Sequence, residues 1–379
     1  MKLSDIIQLH YGKSLPSRDR NDGKVPVYGS GGITGYHDQA LIDGPGIIVG
    51  RKGSIGTIYF EDKDFFPIDT VFYVEHDEEK IDQEYLYFYL KEMNLENMNT
   101  DAAVPGLNRD VALSQEVSIP DLTTQQKIAS ILSAFDDLIE NNTRRIEILE
   151  EMARRIYREW FVHFRYPGHE DDDLVDSGTE LGEIPEGWEV TEFGELVEYL
   201  RDRVKNEEVE KEVSVLGLGD MPKESINLSQ WENTDDIGST KLRFKKDDIL
   251  FGKIRPYFHK VGFAQTSGVC SSDIFVWRPH ENKDYVLALL AASSKKFVET
   301  ATNSSSGTKM PRAKWDVLEN FLIPYPSEKL LGKLNSLVGS SLKQIRTLSF
   351  QNKRLKETRD LLLPKLISGK IDVEESIIN

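Results

Sequence analysis

The chain has 379 residues, more than one hydrophobic core usually holds, so its length points to two or more domains. Hydrophobic residues make up 39% and aromatics 9%, enough to build cores, and no apolar run approaches the ~20 residues that cross a bilayer, which excludes a membrane partner as the expectation. A formal net charge of −17 argues against a nucleic-acid partner, because phosphate neutralisation needs Lys and Arg, unless the charge is unevenly placed.

It is unevenly placed. From Pro167 to Glu198 there are 12 Asp or Glu and no Lys or Arg, leaving −5 for the rest of the chain. Lys241 to Lys260 holds seven Lys or Arg against Asp247 and Asp248, and Ser327 to Lys370 holds ten against Glu328, Glu357 and Asp360. The first residues, Met-Lys-Leu-Ser-Asp-Ile-Ile-Gln, alternate apolar and polar and read as neither a secretory h-region nor an anchor, so a cytoplasmic location is expected. The one cysteine, Cys270, cannot form an internal disulfide or a cysteine-based zinc site.

In chain order, residues 1–121 read as short β-branched and aromatic runs punctuated by Gly and Asn, then one helix, then a strand-like run ending in Pro. A heptad helix follows over 122–166, with Leu132, Ile139, Ile146, Ala153 and Trp160 in one row and Phe135, Asn142, Leu149, Ile156 and His163 in another. Thr123 or Thr124 is its expected cap. An acidic linker over 167–186 leads to residues 187–326, which repeat the first pattern of elements. A second heptad helix covers 327–370, with Leu334, Leu348, Leu355 and Leu362 in one row and Val338, Ile345, Asn352 and Leu366 in the other. Ser341 and Arg359 interrupt this seam, and Pro364 is expected to kink or end it. Residues 371–379 form a tail.

The two halves repeat in sequence as well as in pattern. Gly-Ile-Ile-Val-Gly-Arg-Lys at 46–52 is echoed by Asp-Ile-Leu-Phe-Gly-Lys-Ile at 248–254. Asp69 and Asp273 stand 204 residues apart in matching apolar contexts, and so do Pro120 and Pro324. The expected fold is therefore α+β: two similar globular domains and two long helices paired as an antiparallel coiled coil, an internal repeat with pseudo-twofold symmetry. The buried-looking Asn142 and Asn352 are expected to fix the register of the pair.

The residues also resemble a known family. Val25-Pro26-Val27-Tyr28-Gly29-Ser30-Gly31-Gly32-Ile33-Thr34-Gly35-Tyr36-His37-Asp38, the run from Gly46 to Gly56, and Leu181-Gly182-Glu183-Ile184-Pro185-Glu186-Gly187-Trp188 are similar to target-recognition domains of type I restriction-modification specificity subunits. Glu151 to Phe161 and Arg359 to Ile371 resemble the family's two conserved helical regions, so the likeness covers nearly the whole chain in order. The resemblance implies a subunit that carries no chemistry of its own. Each domain would read one half of a split double-stranded DNA target, and the helices would set the unread gap and dock methyltransferase (M) subunits. S-adenosylmethionine and ATP would sit only on partner subunits, and restriction (R) subunits would join the complex. Exposed helical faces awaiting those partners would allow the free chain to form a homodimer.

Base readout needs polar side chains on loops, flanked by phosphate contacts. In the first domain these are Ser30 and Tyr36 of the Gly-rich turn, Arg51, Lys52 and Ser54, then Asn108 and Arg109. In the second they are Lys253, Arg255, Tyr257, His259 and Lys260, then Lys309 and Arg312 within a polar loop over 304–312. Surface solubility is the plain alternative for each cation. Asp69 and Asp273 read as turn acceptors, and Trp160 and Trp188 as packing residues. No Gly-x-Gly-x-x-Gly, no Gly-Lys-Ser/Thr loop, no Asn/Asp-Pro-Pro-Tyr/Phe tetrapeptide and no His-x-x-x-His pair is present, so neither a cofactor nor a metal is expected on this chain. An autonomous DNA-modifying enzyme and a scaffold that reads nothing stay open as competing functions.

Overall fold

The computed structural model describes residues 1–98, 106–209, 211–307 and 309–373; residues 374–379 of the expected tail and Thr308 of the expected polar loop lie outside the described residues. The chain divides into two compact units, Met1–Ile139 with Arg354–Asn379, and Glu140–Lys353. Each unit holds one α+β domain and part of both long helices, Leu122–Tyr157 and Glu328–Ile367.

In the first unit the strands are β1 (Ile7–Tyr11), β2 (Val25–Gly29), β3 (Gly32–His37), β4 (Gly46–Gly50), β5 (Ile58–Glu61), β6 (Phe66–Pro67) and β7 (Val71–His76). The apolar run of β4 does not alternate, as expected of a strand covered on both faces, and all five of its residues are buried. It lies inside an antiparallel sheet of order β1-β7-β4-β5, with Ile48 opposite Tyr73 and Leu9 opposite Val74. A second sheet runs β3-β2-β6. Helix Gln83–Glu92, capped by Asp82 Oδ1 accepting the Tyr85 N–H at 2.9 Å, presses Tyr85, Leu86 and Phe88 onto the first sheet's core beside Ile47 and Phe72.

The first long helix opens on a different cap from the threonines expected. Asp121 accepts both the N–H of Thr124 (3.1 Å) and its hydroxyl (2.9 Å), because its carboxylate already stands at the non-helical position just before Leu122. Ile128, Ala129 and Leu132 then enter the same core as Leu363 and Leu366 of the second long helix. Fully buried Gln125 accepts the Asp82 N–H and donates to the carbonyls of Lys80 and Pro120, pinning the helix start to the domain.

The second unit repeats this order. Its strands are β8 (Leu174–Asp176), β9 (Glu183–Pro185), β10 (Glu189–Glu192), β11 (Val197–Leu200), β12 (Arg203–Val204), β13 (Val213–Leu216), β14 (Asn227–Leu228), β15 (Glu232–Thr234), β16 (Lys241–Phe244), β17 (Ile249–Gly252), β18 (Val261–Ala264), β19 (Gly268–Cys270), β20 (Ile274–Pro279) and β21 (Leu322–Tyr325). Its main sheet, β11-β20-β17-β18-β14, matches β1-β7-β4-β5 strand for strand and adds β14 at the edge. Its second sheet has the unrelated order β12-β16-β19-β13-β15. Helix Tyr285–Ala292 is apolar almost all round and is buried almost all round, in a core where Trp277 packs against Phe193, Phe251, Phe275 and Phe297. The acidic stretch is more than a linker: β8 and β9 pair antiparallel as a small, largely exposed hairpin.

The long helices pair antiparallel. In the second unit Ile146, Ala153, Leu334, Val338, Ile345 and Leu348 are buried in one cluster, with Leu149 and Ile156 half-buried beside it. Asn142 donates from Nδ2 to Asn352 Oδ1 at 3.0 Å, and Asn352 Nδ2 reaches Thr143 Oγ1 at 3.1 Å. In the first unit Leu132 is buried, whereas Phe135, Ile139, Leu355 and Leu362 are half-buried. Arg359 interrupts the seam because it forms an ion pair with Asp136. The seam stops short of the expected last row. After Tyr157 the chain continues as a π-helix, Arg158–Val162, so Trp160 turns into the domain core and His163 is exposed. Pro364 stays inside the second helix, which ends one turn later at Ile367.

All five tryptophans lie in the second unit, so their fluorescence reports its unfolding. Asn142→Ala removes one half of a buried amide pair and is expected to cost about 1–3 kcal/mol. Replacing both Asn142 and Asn352 with Leu removes both polar groups together and is expected to be close to neutral or stabilising. Urea unfolding followed by tryptophan emission checks the pair; a double variant weaker than the single would contradict it.

Candidate nucleic-acid interface

In each domain the buried central strand leaves the sheet at a glycine and enters a loop of cations. Gly50 has no space for a side chain, since a Cβ there would lie 2.2 Å from the Ser54 carbonyl oxygen. Beyond it Arg51 and Lys52 both donate backbone N–H groups to the Thr70 carbonyl (2.9 and 3.1 Å), and the Arg51 carbonyl accepts from Leu107 N–H at 2.9 Å. Three separated segments, 51–57, 69–70 and 106–109, are thereby tied together. The Gly-rich turn joins them: the Ser30 carbonyl accepts the Thr57 hydroxyl at 2.7 Å and the Tyr59 hydroxyl at 3.1 Å.

The second domain is wired alike. Lys253 N–H donates to the Asp273 carbonyl (2.8 Å), the Lys253 carbonyl accepts from Ala313 N–H (2.9 Å), and Arg255 N–H donates to the Pro311 carbonyl (2.8 Å). Ile254 bridges to Arg312 as Lys52 bridges to Gly106. Segments 253–260, 271–273 and 311–313 therefore gather in the second domain as their counterparts do in the first.

The cations are held by aromatic faces. In the first domain Tyr11, at the end of edge strand β1 and 50% exposed, carries the Arg51 guanidinium at 4.8 Å and the Arg109 guanidinium at 5.5 Å from its ring centroid. Arg51 also donates from Nη1 to the Asp69 carbonyl at 2.8 Å. In the second domain Lys253 Nζ lies 4.6 Å from the Phe275 centroid and 5.6 Å from that of Tyr199, which Arg201 also covers at 4.4 Å. Contact with a ring removes side-chain freedom before any ligand arrives, and Arg109 is held further by Asp110 Oδ1, 3.4 Å from its Nε. Tyr11, Tyr199 and Arg201 are absent from the residues expected on sequence grounds. The sequence signal for them is an aromatic or cationic residue at or beside the end of the first main-sheet strand of each repeat, Tyr11 in β1 and Tyr199 with Arg201 at β11.

The remaining candidates divide. Ser30, Arg51, Lys52, Ser54 and Arg109 share one surface with Asn108, whose side chain is occupied in capping helix Arg109–Leu113 through the N–H groups of Asp110 and Val111. Tyr36 is exposed but stands at the other end of β3, opposite Pro26, roughly 13 Å along the strand from the turn. Arg255, Tyr257, Lys309 and Arg312 are exposed together, with Arg312 reaching Asp273 Oδ1 at 3.3 Å. His259 and Lys260 turn inward. The His259 Nε2 meets the Ser293 carbonyl at 2.8 Å, beside a cavity of about 890 Å³, and Lys260 Nζ donates to the Leu218 carbonyl. These two side chains anchor the loop's end.

Arg255 and His259 both adopt left-handed backbone angles, φ 50° and 51°, which cost a non-glycine residue about 1 kcal/mol or more. The Cys270 thiol, buried behind the loop, is pushed up to about 12 by loss of solvation and stays protonated at neutral pH. Among the described residues no group of three or more His, Cys, Asp or Glu could hold a metal ion, and no helix is long and apolar enough to cross a membrane.

Two domains that each present stacked cations on bonded-together loops have the build of a DNA-reading protein. Comparison with known proteins gives the same class: residues 1–151 and 185–330 match the type I restriction modification DNA specificity domain. The chain is 29% identical over 313 residues to the type I restriction enzyme MjaIX specificity subunit of Methanocaldococcus jannaschii, covering 77% of this chain and 70% of that one. It is 25% identical over 332 residues to the HindI specificity subunit of Haemophilus influenzae, covering 70% and 71%. A crystal structure of a type I S subunit from M. genitalium shares the fold, with a TM-score of 0.64 at 19% identity over 97% of this chain and 95% of that one. The chain belongs to the type I restriction-modification specificity-subunit family and is a DNA sequence-recognition subunit.

Arg255→Gly removes the left-handed strain at the loop's start. It is expected to stabilise the second unit by about 1 kcal/mol in urea unfolding. Loss of stability in that variant would show that the side chain, and not the backbone angle, matters more to the loop.

Proposed function

We propose that each domain reads one half of a bipartite double-stranded DNA target, and that the paired helices set the gap between the halves. The observation that carries this reading is the duplicated loop wiring: the same backbone bonds gather cationic loops at Arg51 and at Lys253. The two loop sets differ in side chains, so the two half-sites would differ in sequence. Arg51, Arg109, Lys253, Arg255 and Arg312 are the primary DNA-facing residues, joined by Lys52, Ser54, Ser30, Tyr257 and Lys309. The chain acts without catalysing a reaction. Methyltransferase subunits docked on the helices supply S-adenosylmethionine chemistry, restriction subunits supply ATP-driven cleavage, and the complex works in the cytoplasm.

Helices of 36 and 40 residues are about 54 and 60 Å long, more than one turn of DNA at about 34 Å. Inserting one heptad into each keeps the seam in phase and adds about 10 Å, or about 3 base pairs. Sequencing of DNA modified by the chain with its methyltransferase subunit is expected to show the gap lengthened by about that amount with the bases of both half-sites unchanged. Altered bases would overturn the spacing role.

Replacing Lys253 and Arg255 together with Ala is expected to weaken target binding by the same complex. The slope of log K against log salt should flatten by roughly one unit for each phosphate that is no longer neutralised. An unchanged slope would show that neither side chain meets a phosphate.

A further inference from the structure

We propose that Asn227 and the buried polar cluster around it are positioning groups that fix the setting of the second recognition domain on both long helices, and so fix the phase at which its half-site is read. The inference rests on the spacing role given to the helices above.

Asn227 opens β14 and is 8% exposed. Its backbone N–H donates to Glu150 Oε1 of the first long helix at 2.9 Å, and its Nδ2 donates to Ser349 Oγ of the second at 2.9 Å. Its Oδ1 accepts from Gln265 Nε2 at 2.6 Å. Gln265 in turn accepts from Arg346 Nε at 3.1 Å, and Arg346 forms an ion pair with Asp247 while its guanidinium covers the Phe263 ring. Ser225 Oγ shares Glu150 Oε1 at 2.7 Å. One residue of the domain is thus bonded to both helices at once. Burial raises the Glu150 carboxyl above its usual range, against the lowering effect of Ser225, Arg154 and the backbone N–H groups, so the helix has placed a costly group here.

The packing around this cluster is apolar, with Ile226, Val261 and Phe263 of the domain against Ile146, Ala153 and Ile345 of the helices. Apolar contact is non-directional and tolerates sliding or rolling. Hydrogen bonds are directional, and any roll of the domain would strand several buried polar groups together. The cluster is also linked rigidly to the loop that carries the cations. Asn227 lies beside Phe263 of β18, and Phe263 lies beside Ile249 of β17, the strand that runs into Lys253. Glu224 makes a second link, accepting from Arg154 of the first helix at 3.0 Å through its carbonyl and donating its N–H to the His259 carbonyl at 2.9 Å. Because B-DNA turns about 34–36° per base pair, a roll of that size equals one base pair of phase.

The test uses the full chain carrying Asn227→Ala and Arg346→Met, with Ser349→Ala alone as a milder variant should the double one not fold. Nitroxides at Ser239→Cys and Lys343→Cys report the distance between domain and helix, since the native Cys270 is buried. Methylation sequencing with the methyltransferase subunit reports the gap. The expected result is a distance distribution about twice as wide and a gap relaxed by about one base pair either way, with the bases of the half-site retained. An unchanged distribution, or a widened one with a single unaltered gap, overturns the proposal. If the wild-type chain directs methylation to no split motif, the spacing role itself fails, whereas the distance measurement still decides whether the cluster sets the domain.

Discussion

Both cationic surfaces depend on the backbone of one residue, the first after the central strand of each domain. Its N–H is bonded to the turn before the neighbouring strand, and its carbonyl to the segment before a short helix, at Arg51 in one domain and Lys253 in the other. A strand buried on both faces can carry no polar side chain along its length, so its ligand-facing chemistry has to begin where the chain leaves the sheet. The glycine at that exit lets the loop fold back closely, and the two bonds then collect side chains from three distant parts of the sequence. Polar readers become possible there without disturbing the core.

The same constraint explains which parts of this arrangement the sequence discloses. The repeat at an offset of 202 to 204 residues is visible because the central strands, the Asp turns and the last strands are short runs whose composition is dictated by burial. The long helices are visible because heptad spacing is a strict rule. Their ends are less so: the π-helical turn at Arg158–Val162 arises where Trp160 and Phe161 leave the seam for the domain core, a tertiary demand that no heptad row expresses. The second sheets, β3-β2-β6 and β12-β16-β19-β13-β15, are built from strands of two to six residues with mixed pairing, too short to show a period. The inward turn of His259 and Lys260 is hidden for a related reason. Both are polar residues in a loop, and only the position of the Ser293 and Leu218 carbonyls decides that they anchor it.

Net charge is a poor guide to such a protein because screening makes electrostatics local. At physiological salt, charges on solvent-exposed groups more than about 8–10 Å apart largely cease to affect one another. The field at each loop is therefore governed by the charges near it, such as Arg51 and Arg109 over Tyr11 or Lys253 over Phe275, more than by the chain's total of −17. Stacking adds to the local effect. A guanidinium lying on a ring has given up part of its freedom beforehand. The left-handed angles at Arg255 and His259 have the same sense: stability is surrendered at the loop to hold one backbone shape.

On the function proposed above, reading bases and setting distance would be carried by different interactions in the second unit. The loops end in exposed side chains that can change without touching the core, whereas the Asn227 cluster is buried and satisfied only when all its members stand together. A substitution in a loop would then alter which groups face the DNA and leave the domain where it was. A substitution in the cluster would leave those groups intact and alter where they are presented. Because the apolar seam fixes neither rotation nor slide by itself, a few directional bonds at the junction are sufficient to separate the two properties, and each can vary without undoing the other.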